Sequence, residues 1–170
     1  MDVLNIIHET EDGFKNIARK LFNEFVIQTH NSKYRIIEIE FYWNSTSHVD
    51  KSTYERKYVD PKTGEWFFHY SGVDIALRNE KGYGGILLRS VLDLNGEDEK
   101  KSIYKGPMIC AMRLFSGTNA FDDLIRTKIV QHVFKSEDIF QSERIGLGNN
   151  AKENGADKHN YRFFIPPILK

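Results

Sequence analysis

A basic excess is the first thing this chain lacks. Its 24 lysines and arginines are matched by 24 aspartates and glutamates, so the formal net charge is zero. Proteins that grip nucleic acid through phosphates usually carry surplus cation. Composition therefore argues against a general phosphate binder, while leaving room for a local basic face balanced by acid elsewhere. Cysteine is nearly absent too. Cys110 stands alone in the apolar stretch GPMICAMRLF, which excludes a disulfide framework, fits a reducing cytoplasm and suits a buried packing role. No apolar run approaches the roughly 20 residues of a membrane span. The opening MDVLNIIHETEDG is acidic and lacks the basic-then-apolar layout of a secretory signal. No repeat, low-complexity tract or linker interrupts the 170 residues, so one domain over positions 1–170 is expected, long enough to close a core without staples.

Several chemistries are missing as well. The six histidines, His8, His30, His48, His69, His132 and His159, are scattered, with no cysteine pair and no HExxH spacing to hold zinc. GLGNNA, at 146–151, matches a dinucleotide fingerprint, but only 19 residues follow it, too few for the strand and helix that such a fold needs. Neither a P-loop nor a GxSxG nucleophile elbow is present.

What the chain does have is RIIEIEFYW, at 35–43. Ile37, Ile39, Phe41 and Trp43 alternate with Glu38, Glu40 and Tyr42, the period of two that marks a half-buried β-strand. One face is core. The other would carry two carboxylates together with Tyr34, Ile36 and Tyr42. A solvated outer face is the default for an antiparallel strand. The aromatic neighbours offer a second reading, because a carboxylate between such walls can have a raised pKa and serve as a general base.

Around this strand the pattern predicts a helix over about 11–22, then a strand EFVIQT and a polar turn into RIIEIEFYW. A long polar connection runs from FYWNSTSH to DPKTG, the kind of loop that often carries function. EWFFHYSGVDIAL reads as two strands meeting near Ser71-Gly72, and ILLRSVLDL as a third with Arg89 inside it. A buried arginine needs a partner, and a glutamate on a neighbouring strand is the natural one, either as a structural ion pair or to orient a working carboxylate. Gly106-Pro107 suits the start of a helix. FDDLIRTKIVQHVF fits a helix or a turn and strand, ERIGLGNNAKENGADKHN a Gly/Asn-rich loop, and YRFFIPPILK a closing strand. The fold class is α+β, a single domain with a curved antiparallel sheet flanked by helices.

Taken in order, these stretches resemble the alkyladenine (3-methyladenine) DNA glycosylase family. IARKLFNEFVI and YRIIEIEFYW are similar to that family's opening helix and its R-I-V-E-T-E-A-Y strand. GGILLRS resembles its V-L-L-R-A strand, GPMICAMRLF its G-P-x-x-L-x-x-A-L segment, and ERIGLGNNA with YRFFI its closing R-I-G-[IV]-G…R-F run. The matches keep one chain order from about residue 16 to 165. The resemblance implies excision of alkylated or deaminated purines from double-stranded DNA after base flipping, by a cytoplasmic monomer (nucleoid-associated if bacterial) that touches no membrane and needs no cofactor or metal. It makes Glu40 the base that activates water, with Arg89 helping to hold that water. Tyr42, His48 and His69 would form the base pocket, with Phe68 an alternative to His69 as the opposing stacking wall. Tyr70 would fill the gap left in the helix. In the family a tyrosine directly precedes the hairpin glycine, whereas here Ser71 stands before Gly72 and Tyr70 one residue earlier. The family's pocket asparagine falls on Arg78 or Asn79, and Met108 and Ile109 replace more polar residues. Arg78 and Lys81 are the expected basic flank of Tyr70. Two other readings share part of the pattern: a non-catalytic binder of damaged or single-stranded nucleic acid, and an N-glycosidic hydrolase of free nucleosides.

Overall fold

A computed structural model describes all residues except 1, 7, 54–55, 57–59, 99–101, 118–120, 122–126 and 167–170. Helix α1, Glu11–Glu24, begins where the Thr10 hydroxyl accepts the Gly13 N–H at 3.2 Å, with Glu11 and Asp12 favourably placed in the first turn. Its buried stripe of Phe14, Ile17, Ala18, Leu21 and Phe22 packs on the strands that follow, β1 (Phe25–Gln28) and β2 (Lys33–Ser45). A hairpin of β3 (Trp66–His69) and β4 (Gly72–Arg78) leads into β5 (Gly82–Asp93), and short strands β6 (Ile103–Lys105), β7 (Lys128–Gln131), β8 (Phe140–Ser142) and β9 (Arg162–Phe164) complete the sheet. Helices α2 (Pro107–Phe115) and α3 (Asn149–Lys152) follow β6 and β8.

Every pairing is antiparallel, in the order β3-β4-β5-β2-β1-β7, with β6 on β5 and β9 joining β2 to β8. The result is one α+β domain in which the six strands of the main path curl into a half-barrel. The ambiguous segment FDDLIRTKIVQHVF resolves in its second half, where residues 128–131 form β7, while 122–126 lie outside the described residues.

Strand β2 departs from its expected half-wet state. Every residue from Tyr34 to Trp43 is buried. Two bulges explain how. Ile36 pairs with Val91, Glu38 with Ser90 and Ile39 with Leu88, so Ile37 is the extra residue on β2 and Arg89 the extra residue on β5. The bulge moves Tyr34 and Ile36 out of the glutamate face and into the apolar core with Ile37, Ile39, Phe41 and Trp43. The face of Glu38 and Glu40 is then roofed by segments distant in sequence: β9, which sets Arg162 opposite Glu40, and the loop that carries Ile145. The long polar connection also starts later than its composition implies, since β2 continues to Ser45.

Glycine fixes one close approach that shapes the next region. A Cβ on Gly72 would lie 2.8 Å from backbone and side-chain atoms of Pro107. The β3–β4 hairpin can therefore seat directly on the first turn of α2, which holds its tip, Tyr70-Ser71, over the glutamate face.

Candidate active site

The cleft is built from six chain segments. Tyr42 from β2, Leu87 and Arg89 from β5, His69, Tyr70 and Ser71 at the hairpin, and the 145–149 loop enclose about 460 Å³, with Ser52, Arg56, Pro107 and Ala151 completing the lining. Glu40 lies immediately behind this wall, fully buried. Its Oε1 accepts the Ile145 backbone N–H at 2.8 Å and sits 3.3 Å from Arg89 Nη1, while Oε2 accepts the Tyr42 hydroxyl at 2.9 Å. All three of these partners line the cleft. Burial pushes the Glu40 carboxyl above the usual glutamate range, and Arg89, the Ile145 N–H, Tyr42 and Arg144 oppose that rise without cancelling it. Burial together with the Glu40 charge also raises the Tyr42 phenol, which keeps it a hydrogen-bond donor.

Arg89 meets both carboxylates of β2. Its Nε is 3.3 Å from Glu38 Oε1, and the same oxygen accepts Arg162 Nε at 2.6 Å, while the Ser90 hydroxyl donates to Glu38 Oε2. Glu38 is thus an anchor that holds Arg89 and competes with Glu40 for it. Glu38→Gln removes both the competitor and a neighbouring negative charge, so the Glu40 pKa should fall. A carboxylate can take up a proton only when ionised, so the acid limb of any activity that uses Glu40 as a base is expected to move to lower pH. NMR titration of the Glu40 carboxyl carbon checks this directly, and an unmoved midpoint would show that Glu38 acts only on packing.

Behind the other wall, Arg56 Nε bonds Asp74 Oδ2 at 2.6 Å and His69 Nε2 lies 3.1 Å from Asp74 Oδ1. Burial works to raise the Asp74 pKa, but Arg56 and His69 hold it below the ordinary carboxylate value. Gly85 makes room for this pair, because a Cβ there would meet Asp74 Oδ2 at 2.4 Å and Arg56 Nε at 2.9 Å. Two guanidiniums lie over the Tyr42 ring, Arg56 at 4.4 Å and Arg144 at 4.6 Å from its centroid.

The expected residues are therefore largely brought together. Glu40, Arg89, Tyr42, His69 and Tyr70 converge on one cleft, with Tyr70 three-quarters exposed at its lip. Phe68 points elsewhere: it is half exposed and packs edge-on against Phe115. His48 is not part of the lining. Its Nδ1 lies 2.9 Å from Trp43 O and its Nε2 2.6 Å from the Tyr161 hydroxyl, in a cluster with Phe14 and His159 behind the sheet. The turn that follows β2 at Ser45 carries it there. Arg78 is also placed away from Tyr70. The two stand at opposite ends of β4, about 20 Å apart at roughly 3.3 Å per residue, and Arg78 is engaged by Asp60 at 2.7 Å. Lys81, in the turn beyond β4, shares that far end.

Arg56, Asp74, Arg144 and Arg162 carry much of this arrangement, and none stood out in the sequence. Arg144 and Arg162 had only the weak signal of lying in ERIG and YRFFI, the stretches that resemble the closing run of the glycosylase family. Among the described residues no group of three or more His, Cys, Asp or Glu side chains is placed to hold a metal ion, and no helix is long and apolar enough to cross a membrane.

No protein-family profile matches the chain. It is similar to the uncharacterized protein L759 of Acanthamoeba polyphaga mimivirus, with 27% identity over a gapped alignment 202 positions long that covers 94% of this chain and 90% of that protein. The similarity runs over nearly the whole of both chains, and the relative's name states no activity.

Proposed function

We propose that this chain is a DNA base-excision glycosylase with an alkyladenine DNA glycosylase-like fold, hydrolysing the N-glycosidic bond of a damaged purine flipped out of duplex DNA. The observation that carries this reading is Glu40, a buried carboxylate of raised pKa directly behind a cleft lined by its own three partners. A carboxylate offers about four lone-pair sites. Ile145, Tyr42 and Arg89 address three of them and leave one uncommitted, which a water from the cleft would reach by passing between these same three partners. In the reaction the bond from C1′ to the base nitrogen breaks with its electron pair leaving on the base. The water oxygen bonds C1′, and its proton passes to Glu40. The oxocarbenium-like sugar that intervenes is stabilised by the same carboxylate. The volume suits a purine with its sugar, and a base must leave the stack to reach such a cleft. Tyr70 stands where a side chain could fill the gap it leaves.

A second reading, hydrolysis of free nucleosides, is favoured by the charge distribution, since Arg78 is committed to Asp60 and stands far from Tyr70. One experiment separates the two. Duplexes carrying 3-methyladenine, hypoxanthine or ethenoadenine are incubated with the protein and assayed for abasic sites, beside the corresponding nucleosides. Excision of at least one of these lesions from duplex is expected. Tyr70→Ala is expected to weaken lesion-duplex binding about tenfold, the scale of one lost aromatic–base stack, and single-strand binding less. Nucleoside turnover that is indifferent to Tyr70→Ala decides for the second reading, and binding without any turnover for a non-catalytic protein.

A further inference from the structure

The chemistry of the cleft wall differs from its aromatic appearance. Tyr42 is only 7% exposed, and its ring is already engaged by two guanidiniums. An aromatic face attracts a cation through its quadrupole. Here that attraction is satisfied within the protein, by Arg56, which itself lines the cleft, and by Arg144, whose side chain is fully buried. Among the described residues the charged side chains of the lining are Arg56 and Arg89, with His69 beside them, and no aspartate or glutamate belongs to it. The balancing carboxylates, Asp74, Asp50, Glu38 and Glu40, all stand behind the wall and are bound to these arginines from the far side. Arg56 is 4% exposed and the Arg89 side chain 14%, so a ligand in the cleft meets the edges of two ion-paired guanidiniums, with their carboxylates farther off.

From this arrangement we infer that the cleft selects a neutral base with hydrogen-bond acceptors on its edge and rejects one bearing a fixed positive charge, with Arg56 as the residue that sets the choice. The ligand class, a nucleobase on its sugar, rests on the function proposed above. The discrimination is a property of the wall. Arginine carries only donors, in a fork that fits a carbonyl oxygen and ring nitrogen side by side on a purine. Asp74 holds the Arg56 fork by Nε, and Gly85 leaves the space in which the pair sits. A purine alkylated at a ring nitrogen so that it is cationic offers fewer acceptors and is repelled by Arg56 and Arg89 together. Among damaged purines, neutral deaminated or etheno-bridged bases fit this wall and cationic methylated ones do not.

The test is a pair of ligands of one shape and two charges: 7-methylguanosine, held below neutrality so that it stays cationic, and its neutral isostere 7-deaza-7-methylguanosine. Calorimetric binding to the wild-type protein is expected to favour the neutral compound by on the order of tenfold. Equal binding, preference for the cation, or no binding of either compound overturns the inference. The double substitution Arg56→Gln with Asp74→Asn keeps the buried site neutral and is expected to erase most of the difference, once far-UV circular dichroism shows the variant folded. A folded variant with undiminished discrimination removes Arg56 from the role, and the wild-type comparison stands by itself if the variant does not fold. Binding is read without turnover, so selective binding with no excision of any lesion would reject the glycosylase reading and leave this one standing.

Discussion

Glu40→Gln is expected to abolish turnover while leaving the fold and DNA binding nearly intact. Loss of a general base typically lowers rate by about 10²–10⁴-fold. The amide can keep the contacts of the carboxylate. With its oxygen toward the Ile145 N–H and Arg89, its NH₂ group faces the Tyr42 hydroxyl, which can turn and accept. Burial disfavours the charged form of Glu40, so a neutral replacement does not deprive the fold of a favourable ion. Single-turnover excision within a few-fold of wild type would remove Glu40 from the reaction. Unchanged melting with lost excision is the pattern expected of a residue that acts on the substrate rather than on the fold.

How much of this could be read from the amino-acid order depends on how far apart the partners lie. Local patterns translate well. The alternation in RIIEIEFYW, the Thr10 cap, the Gly106-Pro107 start and the Ser71-Gly72 turn each specify an element within a few residues. The bulges do not announce themselves, because Ile36 and Ile37 are both apolar and either could face the core. The glutamate face looked wet because nothing near it in sequence covers it. Its roof comes from Arg162 and Ile145, more than a hundred residues later.

The candidate site divides along the same line. Glu40, Tyr42 and Arg89 sit on long paired strands and they meet, although the bulge at Arg89 that sets their register is not written in the hydrophobic pattern. His48 follows β2 on a turn, where motif resemblance carries no direction, and it ends behind the sheet. Arg56 lies in a polar loop and acquires its place only from Asp74 across the fold, a pairing with no sequence signature. The basic residues near Lys81 are close to Tyr70 in sequence, but a seven-residue strand separates them in space.

The largest stability effect is expected at a pair that touches no ligand. Asp50 and Arg144 are both fully buried at the side chain, 2.6 Å apart, and Arg144 also donates to the carbonyls of Phe41 and Ala156 while lying over Tyr42. Asp50→Ala would leave that guanidinium without its counterion in a dry setting, which typically costs about 3–5 kcal/mol. For a domain of this length the melting temperature should fall on the order of 10 °C. Lys51–Glu153 is the control. At 2.9 Å its contact is nearly as short, yet both side chains are more than half exposed, so Lys51→Ala should leave melting unchanged. Adding Arg144→Met to Asp50→Ala should recover part of the loss, since an apolar side chain needs no partner there. The consequence reaches the chemistry through the chain itself. Residue 145 follows Arg144 and supplies the backbone N–H to Glu40, so a loosened Arg144 weakens that hydrogen bond and lets the carboxylate pKa rise further. Differential scanning calorimetry of the three variants checks the energetic claim. Asp50→Ala melting with the wild type would show that Arg144 finds another partner, and would uncouple the buried pair from Glu40.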